Sequence, residues 1–314
     1  MNHQNSINLL DKIGIEIYSE SIYQDLRQYW HKALASENPL WQFVDSQSFI
    51  VSDSAHLIAI QDSRNKKIGF IGFYESLEDV DTRSIIQEAT SWLRQKGVEK
   101  IVSPFDGSIL QKYRFNNDAD QIFPGEPTNP NTYVNNFVEC GFTPLNHYVS
   151  GIRTDFNTIL PYVEKDLGDF SVREFDITRA EEDTKILYDL AIKAFENTSG
   201  YFVHFSWDEF SYWYSSSIQH ADPRYIEILY HHQKPIGMCY SFVENKHLVM
   251  KTIAILPEYQ GQGASKYLAF SQHTKAKEDK LAAVVYALIR TGNAVSKMPY
   301  PGVNIYRKYQ TLAL

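Results

Sequence analysis

Apolar and polar positions along residues 170–290 alternate between two periods, and the switches mark out an ordered set of elements. Residues 170–175 read as a short strand. In 180–195, Ile186, Leu187, Leu190, Ala191 and Ala194 recur at helical spacing. A second helix is predicted over 207–217, opened by Ser206 as N-cap with Glu209 three residues on. Three strands follow, at 224–230, 235–243 and 247–256, separated by the polar turns 231–234 and 244–246. A helix over 264–278 and an apolar strand over 282–289 complete the order β-α-α-β-β-β-α-β.

The first half of the chain repeats much of this pattern. A strand is predicted at 13–17, a helix at 22–35, and strands at 48–51, 56–60 and 67–74. A helix at 82–95 is closed by Gly97, and a strand at 98–102 and a short helix at 133–140 follow. The stretch 104–130 carries Asn116, Asn117, Pro124, Gly125, Pro127 and Pro130. It is long for an irregular loop and reads as the cover of a site or an interface. Residues 148–153 end a strand, and 157–167 read as a linking helix. The division between halves falls within 154–168, giving an expected 1–155 and 156–314.

Local chemistry concentrates in 252–268, TIAILPEYQGQGASKYL. Ile253 and Ile255 lie on a strand that Pro257 terminates, since proline has no N–H for a ladder. Gln260, Gly261, Gln262, Gly263, Ala264 and Ser265 then place small residues where a helix begins. A helix start has four N–H groups without intrahelical partners and the positive end of the helix dipole. Such a turn is an anion cradle for a phosphate. It lacks the Lys-Ser/Thr pair of a P-loop, and Lys266 stands where a dinucleotide fingerprint has its third glycine.

Gln260, Gly263 and Ser265 resemble the [R/Q]-x-x-G-x-[G/A] signature of the GNAT superfamily of acyl-CoA-dependent N-acyltransferases, with Ser265 a small departure at the last position. Strand, Pro-Glu-Tyr, cradle and helix follow that family's habitual context, and the element order is the family's. Cys140-Gly141-Phe142 resembles the C-G-F or L-G-F that often follows a GNAT domain's last helix. The expected fold is therefore α/β (α+β): two tandem GNAT-like domains, each a mixed, mostly antiparallel sheet flanked by helices. In the first half the cradle position holds Glu75, Glu78, Asp79 and Asp81 and no glycine. Carboxylates there repel a pyrophosphate, so the resemblance implies a degenerate domain without a cofactor site.

Composition narrows the setting. A chain of 314 residues is long enough for about two domains of ~150 residues. A hydrophobic share of 43% is enough for packed cores. Cys140 and Cys239, far apart, offer neither a disulfide framework nor a structural zinc site. The N-terminus reads as lacking a signal peptide and no apolar run approaches the ~20 residues of a membrane helix, so a cytoplasmic protein without a membrane partner is expected. A net charge of −8 speaks against nucleic acid and suits a cationic acceptor.

The resemblance implies acetyl-CoA as co-substrate and direct attack of a primary amine on the thioester, the acceptor being a small molecule or a peptide. Backbone groups of Ile253 and Ile255 would face the acyl group. Gly261, Gln262, Gly263, Ala264 and Ser265, with Gln260 alongside, would take the pyrophosphate. Asn293 would meet the pantetheine arm. Asn293, Ser296 and Tyr300 resemble N-x-x-[A/S]-x-x-x-Y, whose tyrosine is the usual acid for the departing thiolate. Pro299 and Pro301 flank Tyr300, so Tyr306 competes for that role, as does the absence of any tyrosine acid. Glu244, in a turn, is the candidate base, against a merely solvated glutamate. His231 and His232, adjacent on a strand, are expected to point to opposite faces, and no metal site is expected. The residues 200–205, GYFVHF, sit where the acceptor pocket is shaped. Only one strand fits after Tyr300, so a strand is missing or is lent by the other half. A non-catalytic acyl-CoA sensor and a tRNA-dependent aminoacyltransferase are the alternatives. The oligomeric state is open.

Overall fold

The computed structural model describes residues 3–116, 122–163, 168–196, 200–292 and 302–314. In chain order the elements are α1 (Gln4–Ile17), α2 (Glu20–Ala33), β1 (Val44–Val51), β2 (Ala55–Asp62), β3 (Ile68–Ser76), α3 (Arg83–Gln95), β4 (Lys100–Ser103), β5 (Phe115–Asn116), α4 (Thr132–Glu139) and β6 (Thr143–Arg153). They continue with α5 (Phe156–Val163), β7 (Phe170–Glu174), α6 (Ala180–Phe195), α7 (Trp207–His220), β8 (Ile226–His231), β9 (Lys234–Glu244), β10 (His247–Ile255), α8 (Ala264–Glu278), β11 (Ala283–Arg290) and β12 (Asn304–Ala313). Among the described residues no helix is long and apolar enough to cross a membrane.

The chain forms two compact units. The first is Met1–His147 with Tyr309–Leu314, the second Tyr148–Lys308. This differs from a cut at 155/156, because residues go with the strands that bond them. Leu312 and Ala313 pair antiparallel with Ser103 and Val102 in the first unit. Tyr148 to Arg153 pair with Arg290 to Val284 in the second. The end of β6 thus supplies the second unit with a strand beside β11.

In the first unit the sheet runs β1-β2-β3-β4-β12. All its described pairs are antiparallel except β3–β4. Leu57, Ile71, Ile86, Leu93, Phe137 and Leu312 share one fully buried core between strands and helices. The segment expected to be a strand at 13–17 is instead the last turn of α1. Leu10, Ile13 and Gly14 are buried at helical spacing, continuing a stripe that starts at Ser6. A Cβ on Gly14 would stand 2.7 Å from the Trp30 ring, so glycine sets how closely α1 meets α2. Within 104–130, Phe105, Phe115 and Phe123 are buried, since each large ring gains by leaving water.

The second unit has the order β6-β11-β10-β9-β8-β7, with α6 and α8 both packed on β9 and β10. α7 starts as its sequence requires. Ser206 Oγ accepts from Glu209 N at 3.2 Å while Glu209 Oε2 accepts from Ser206 N at 2.7 Å, a reciprocal cap at α7. Asn245 and Lys246, with φ of 48° and 63°, make the tight turn between β9 and β10.

Candidate functional site

The site begins with a strand that leaves its neighbour. β10 pairs with β11 in parallel only from His247↔Ala283 to Met250↔Tyr286. Past Met250, no described residue of β11 pairs with β10, although β9 stays bonded to it as far as Ile255↔Gly237. At the same point β10 carries one extra residue, Lys251, between Met250↔Ser241 and Thr252↔Tyr240. Such a bulge bends the strand and opens its edge. Leu256 N donates to Ile236 O at 2.8 Å, toward β9. Backbone groups alternate along a strand, so Ile253 and Ile255 present theirs to the opening.

The cradle closes the end of that opening. Pro257–Tyr259 makes one 3-10 turn, and Gln260 and Gly261 lead into α8, whose N-cap is Gly263. Gly261 and Gly263 have φ of 75° and 79°, a region that glycine enters without a Cβ penalty. A Cβ on Gly261 would meet nothing within 4 Å, so the space beside it is open. Gln260 Nε2 donates to Ile255 O at 2.9 Å, and Gln262 Nε2 to Glu258 O at 2.9 Å. Both glutamines therefore tie the turn to its own backbone. Among the described residues, the N–H groups of Gly261, Gly263, Ala264 and Ser265 have no acceptor. With no acidic residue in the first turn of α8, they form a ready anion site.

Asn293 and Tyr300 lie outside the described residues. Glu244 is opposite His247 at the paired end of β10. Six residues of strand, about 20 Å at ~3.3 Å each, separate His247 from Ile253. Tyr306 lies on β12, and β6 and β11 stand between it and β10. Lys266 is half-buried in the first turn of α8. His231 and His232 do not point to opposite faces: β8 ends at His231, His232 has φ of 54°, and the two rings are 4.4 Å apart. Strand alternation no longer applies once the backbone turns.

Two groups near the opening carry no local sequence signal strong enough to be read. Phe210 stacks on Tyr214 at 4.9 Å, and Tyr214 meets Tyr240 edge-on at 5.8 Å. Tyr240 is the ladder partner of Thr252, just past the bulge, and burial pushes its hydroxyl up to about 12. The i, i+4 spacing of Phe210 and Tyr214 was the available clue. Arg153, His273 and Tyr286, far apart in sequence, form a second group. The Ala269 carbonyl accepts from His273 Nδ1 at 2.6 Å, so Nε2 accepts from the Tyr286 hydroxyl at 2.6 Å. Arg153 Nε donates to the same hydroxyl oxygen at 3.1 Å. Burial lowers His273 to about 4, which keeps it neutral. The relay fixes Tyr286 at the last position where β11 holds β10.

The first unit has the same plan with the opening filled. β3 pairs with β4 only from Ile68↔Lys100 to Phe70↔Val102. Beyond that, Phe105 N donates to Ile71 O at 2.9 Å and Phe73 N to Asp106 Oδ1 at 2.6 Å. A Cβ on Gly72 would lie 2.3 Å from Phe105 O, so glycine admits this close approach. At the start of α3, Asp81 Oδ1 accepts from Arg83 N at 3.1 Å. Glu75 is not part of an exposed acidic run: it is buried and accepts from Tyr18 and Tyr133 at 2.7 and 2.9 Å. Burial pushes its carboxyl up to about 7.

Comparison with known proteins agrees with this plan. Residues 185–297 match the family model described as Acetyltransferase (GNAT) family. A conserved protein of unknown function from Enterococcus faecalis V583, a probable N-acyltransferase, is similar in structure with a TM-score of 0.61 and 11% identity, covering 100% of this chain and 70% of that one. A tandem GNAT protein from the clavulanic acid biosynthesis pathway is similar with a TM-score of 0.54 and 10% identity, covering 100% and 95%. No curated protein matches the chain. The bulged, splayed strand and the glycine cradle both lie within residues 185–297, the stretch that matches the GNAT acetyltransferase family model, and the chain as a whole has a fold similar to that of a tandem GNAT protein.

Proposed function

We propose that the second unit is an acyl-CoA-dependent N-acyltransferase, with acetyl-CoA as the donor and a primary amine of a small molecule or peptide as the acceptor. The observation that carries this reading is the continuity of an open strand edge with an unsatisfied helix start. The open edge at Ile253 and Ile255 leads directly into the four unpartnered N–H groups of Gly261, Gly263, Ala264 and Ser265. An anion with an extended arm fits such an arrangement, and open space beside Gly261 admits it.

Bound acyl-CoA would supply a thioester that a neutral amine attacks: the N–C bond forms as the C–S bond breaks, the amine's surplus proton passes to water, and the departing thiolate takes a proton from the acid. The cradle N–H groups hold the pyrophosphate, helped by the dipole of α8. Gln260 and Gln262 keep the turn in shape through Ile255 O and Glu258 O. An N–H of β10 aimed into the opening stabilises charge on the acyl oxygen. Confining amine and thioester in one opening supplies most of the rate enhancement. Tyr300 is the preferred acid toward the thiolate, with Tyr306 the competitor, and Asn293 contacts the pantetheine arm. Glu244 receives no role here because it sits at the paired end of the strand. The first unit, with Asp106 in its opening and Asp81 on its helix start, binds no acyl-CoA in this reading. The reading places the protein in the cytoplasm, in keeping with free Cys140 and Cys239, with neither nucleic acid nor membrane as partner.

Isothermal titration of acetyl-CoA into the wild type and a Gly263→Glu variant tests this. Micromolar binding that the variant loses supports the assignment and leads to an amine screen, in which Tyr300→Phe and Tyr306→Phe pH–rate profiles identify the acid. A wild type that does not bind acetyl-CoA overturns it. Binding without turnover across the screen favours the sensor alternative.

A further inference from the structure

We propose that Asp169, His231 and His232 bind a divalent transition ion of the zinc class at the β8–β9 hairpin. One ring nitrogen of each histidine and one carboxylate oxygen of Asp169 all lie within 4.8 Å of one another. The backbone holds the three residues together. His232 N donates to Asp169 O at 2.9 Å, and His231 is the ladder partner of Phe170. The positive φ of His232 swings its ring to the side of its neighbour.

Two imidazoles and one carboxylate are a donor set that suits zinc, with a fourth position left for water. Metal bonds of 2.0–2.2 Å in a tetrahedral site put ligand atoms about 3.4 Å apart. The cluster therefore closes by up to about 1.4 Å, a movement within reach of the exposed side chains of Asp169 and His232. His231 is the fixed member. Its ring packs on Phe170 at 4.9 Å and on Tyr259 at 5.4 Å, with the Tyr259 hydroxyl 3.4 Å from Nδ1. A neighbour of that kind orients a metal-binding ring.

The charges also suit a cation. Among the described residues, neither the Asp169 carboxylate nor the His232 ring has a hydrogen-bond or ion-pair partner, so both are available. Lys234, three residues past His231, does not neutralise Asp169, for its ammonium is on Glu258 at 3.1 Å. The cluster shares no residue with the proposed acyl-CoA site, although His231 touches Tyr259 next to Gln260, and the metal proposal does not depend on that assignment.

Titration of zinc into the full-length, tag-free, chelator-treated protein, read by isothermal calorimetry and by the visible spectrum of the Co²⁺ form, tests the proposal. One equivalent is expected to bind with micromolar or tighter affinity, weakened at least tenfold in His232→Ala and in Asp169→Asn. Both substitutions are exposed, so unchanged circular dichroism and unchanged acetyl-CoA titration serve as controls on folding. Absence of saturable binding, or a site that keeps its full affinity in either variant, overturns the proposal.

Discussion

Phe73 N donates to Asp106 Oδ1 at 2.6 Å, so a side chain of the first unit occupies the strand edge that the second unit leaves open. Asp106 is buried and also accepts from the Tyr29 hydroxyl at 2.6 Å. An Asp106→Ala variant strands a buried N–H and a hydroxyl, and is expected to cost about 2–5 kcal/mol. Asp106→Asn keeps an acceptor for Phe73 and costs about 1 kcal/mol. Urea unfolding of the two variants checks this. Equal losses would mean that the carboxylate does not act through these bonds.

Glu75 makes the first unit's stability depend on pH. Its carboxyl is pushed from the usual 4.5 up to about 7 by burial, against the opposing hydrogen bonds of Tyr18 and Tyr133 and the charge of half-buried Lys112. Asp106 adds a like charge. An acid with a raised native pKa keeps its proton in the folded state after the unfolded chain has lost it. Stability is then fullest below about 4.5 and falls as pH rises through about 7. The fall is on the order of 3 kcal/mol at ~1.36 kcal/mol per pKa unit. Glu75→Gln retains an acceptor for both tyrosines and should flatten the curve. Hydrogen exchange of β3 peptides between pH 4.5 and 8 reads the difference, and parallel curves for variant and wild type would sink the prediction.

Gly263 stands at a φ of 79° that a Cβ disfavours. Gly263→Ala is expected to cost about 1 kcal/mol of stability in the second unit. It should also weaken acetyl-CoA binding, since the N–H groups of the cradle rotate with it. Thermal unfolding and calorimetry on one sample separate the two effects. An alanine variant as stable as the wild type would show that the turn adapts.

Gln260 acts through Ile255 O rather than toward a ligand. Gln260→Ala should therefore reduce acetyl-CoA affinity about tenfold without changing its salt dependence. A steeper or shallower salt response would show direct contact with the phosphates.

Ser206 caps α7 reciprocally with Glu209. Ser206→Ala should cost about 1 kcal/mol, measured by urea unfolding, with acetyl-CoA binding unchanged. A loss of binding would place α7 nearer to the donor than the cradle geometry does.

What the sequence by itself determined was the set of elements and the cradle. The helix Ala180–Phe195 shows itself in the spacing of Leu187, Leu190, Ala191 and Ala194, and Trp207–His220 opens on the Ser206–Glu209 capping box. The glycines at 261 and 263 announce a turn that only residues lacking a Cβ make freely. These are local properties, and local sequence expresses them. Residues 13–17 misled because IGIEI alternates when read alone, whereas its helical stripe shows only with Ser6, Leu10 and Gly14 in view. Tertiary structure decided the rest. That Asp106 reaches Phe73, that Arg153 meets Tyr286 and His273, and that β10 parts from β11 after Met250 are results of pairing between distant segments. A single backbone angle at His232 brought two rings together that strand alternation would have separated. Such long-range placement follows from where the chain returns to itself, which no short window of residues encodes.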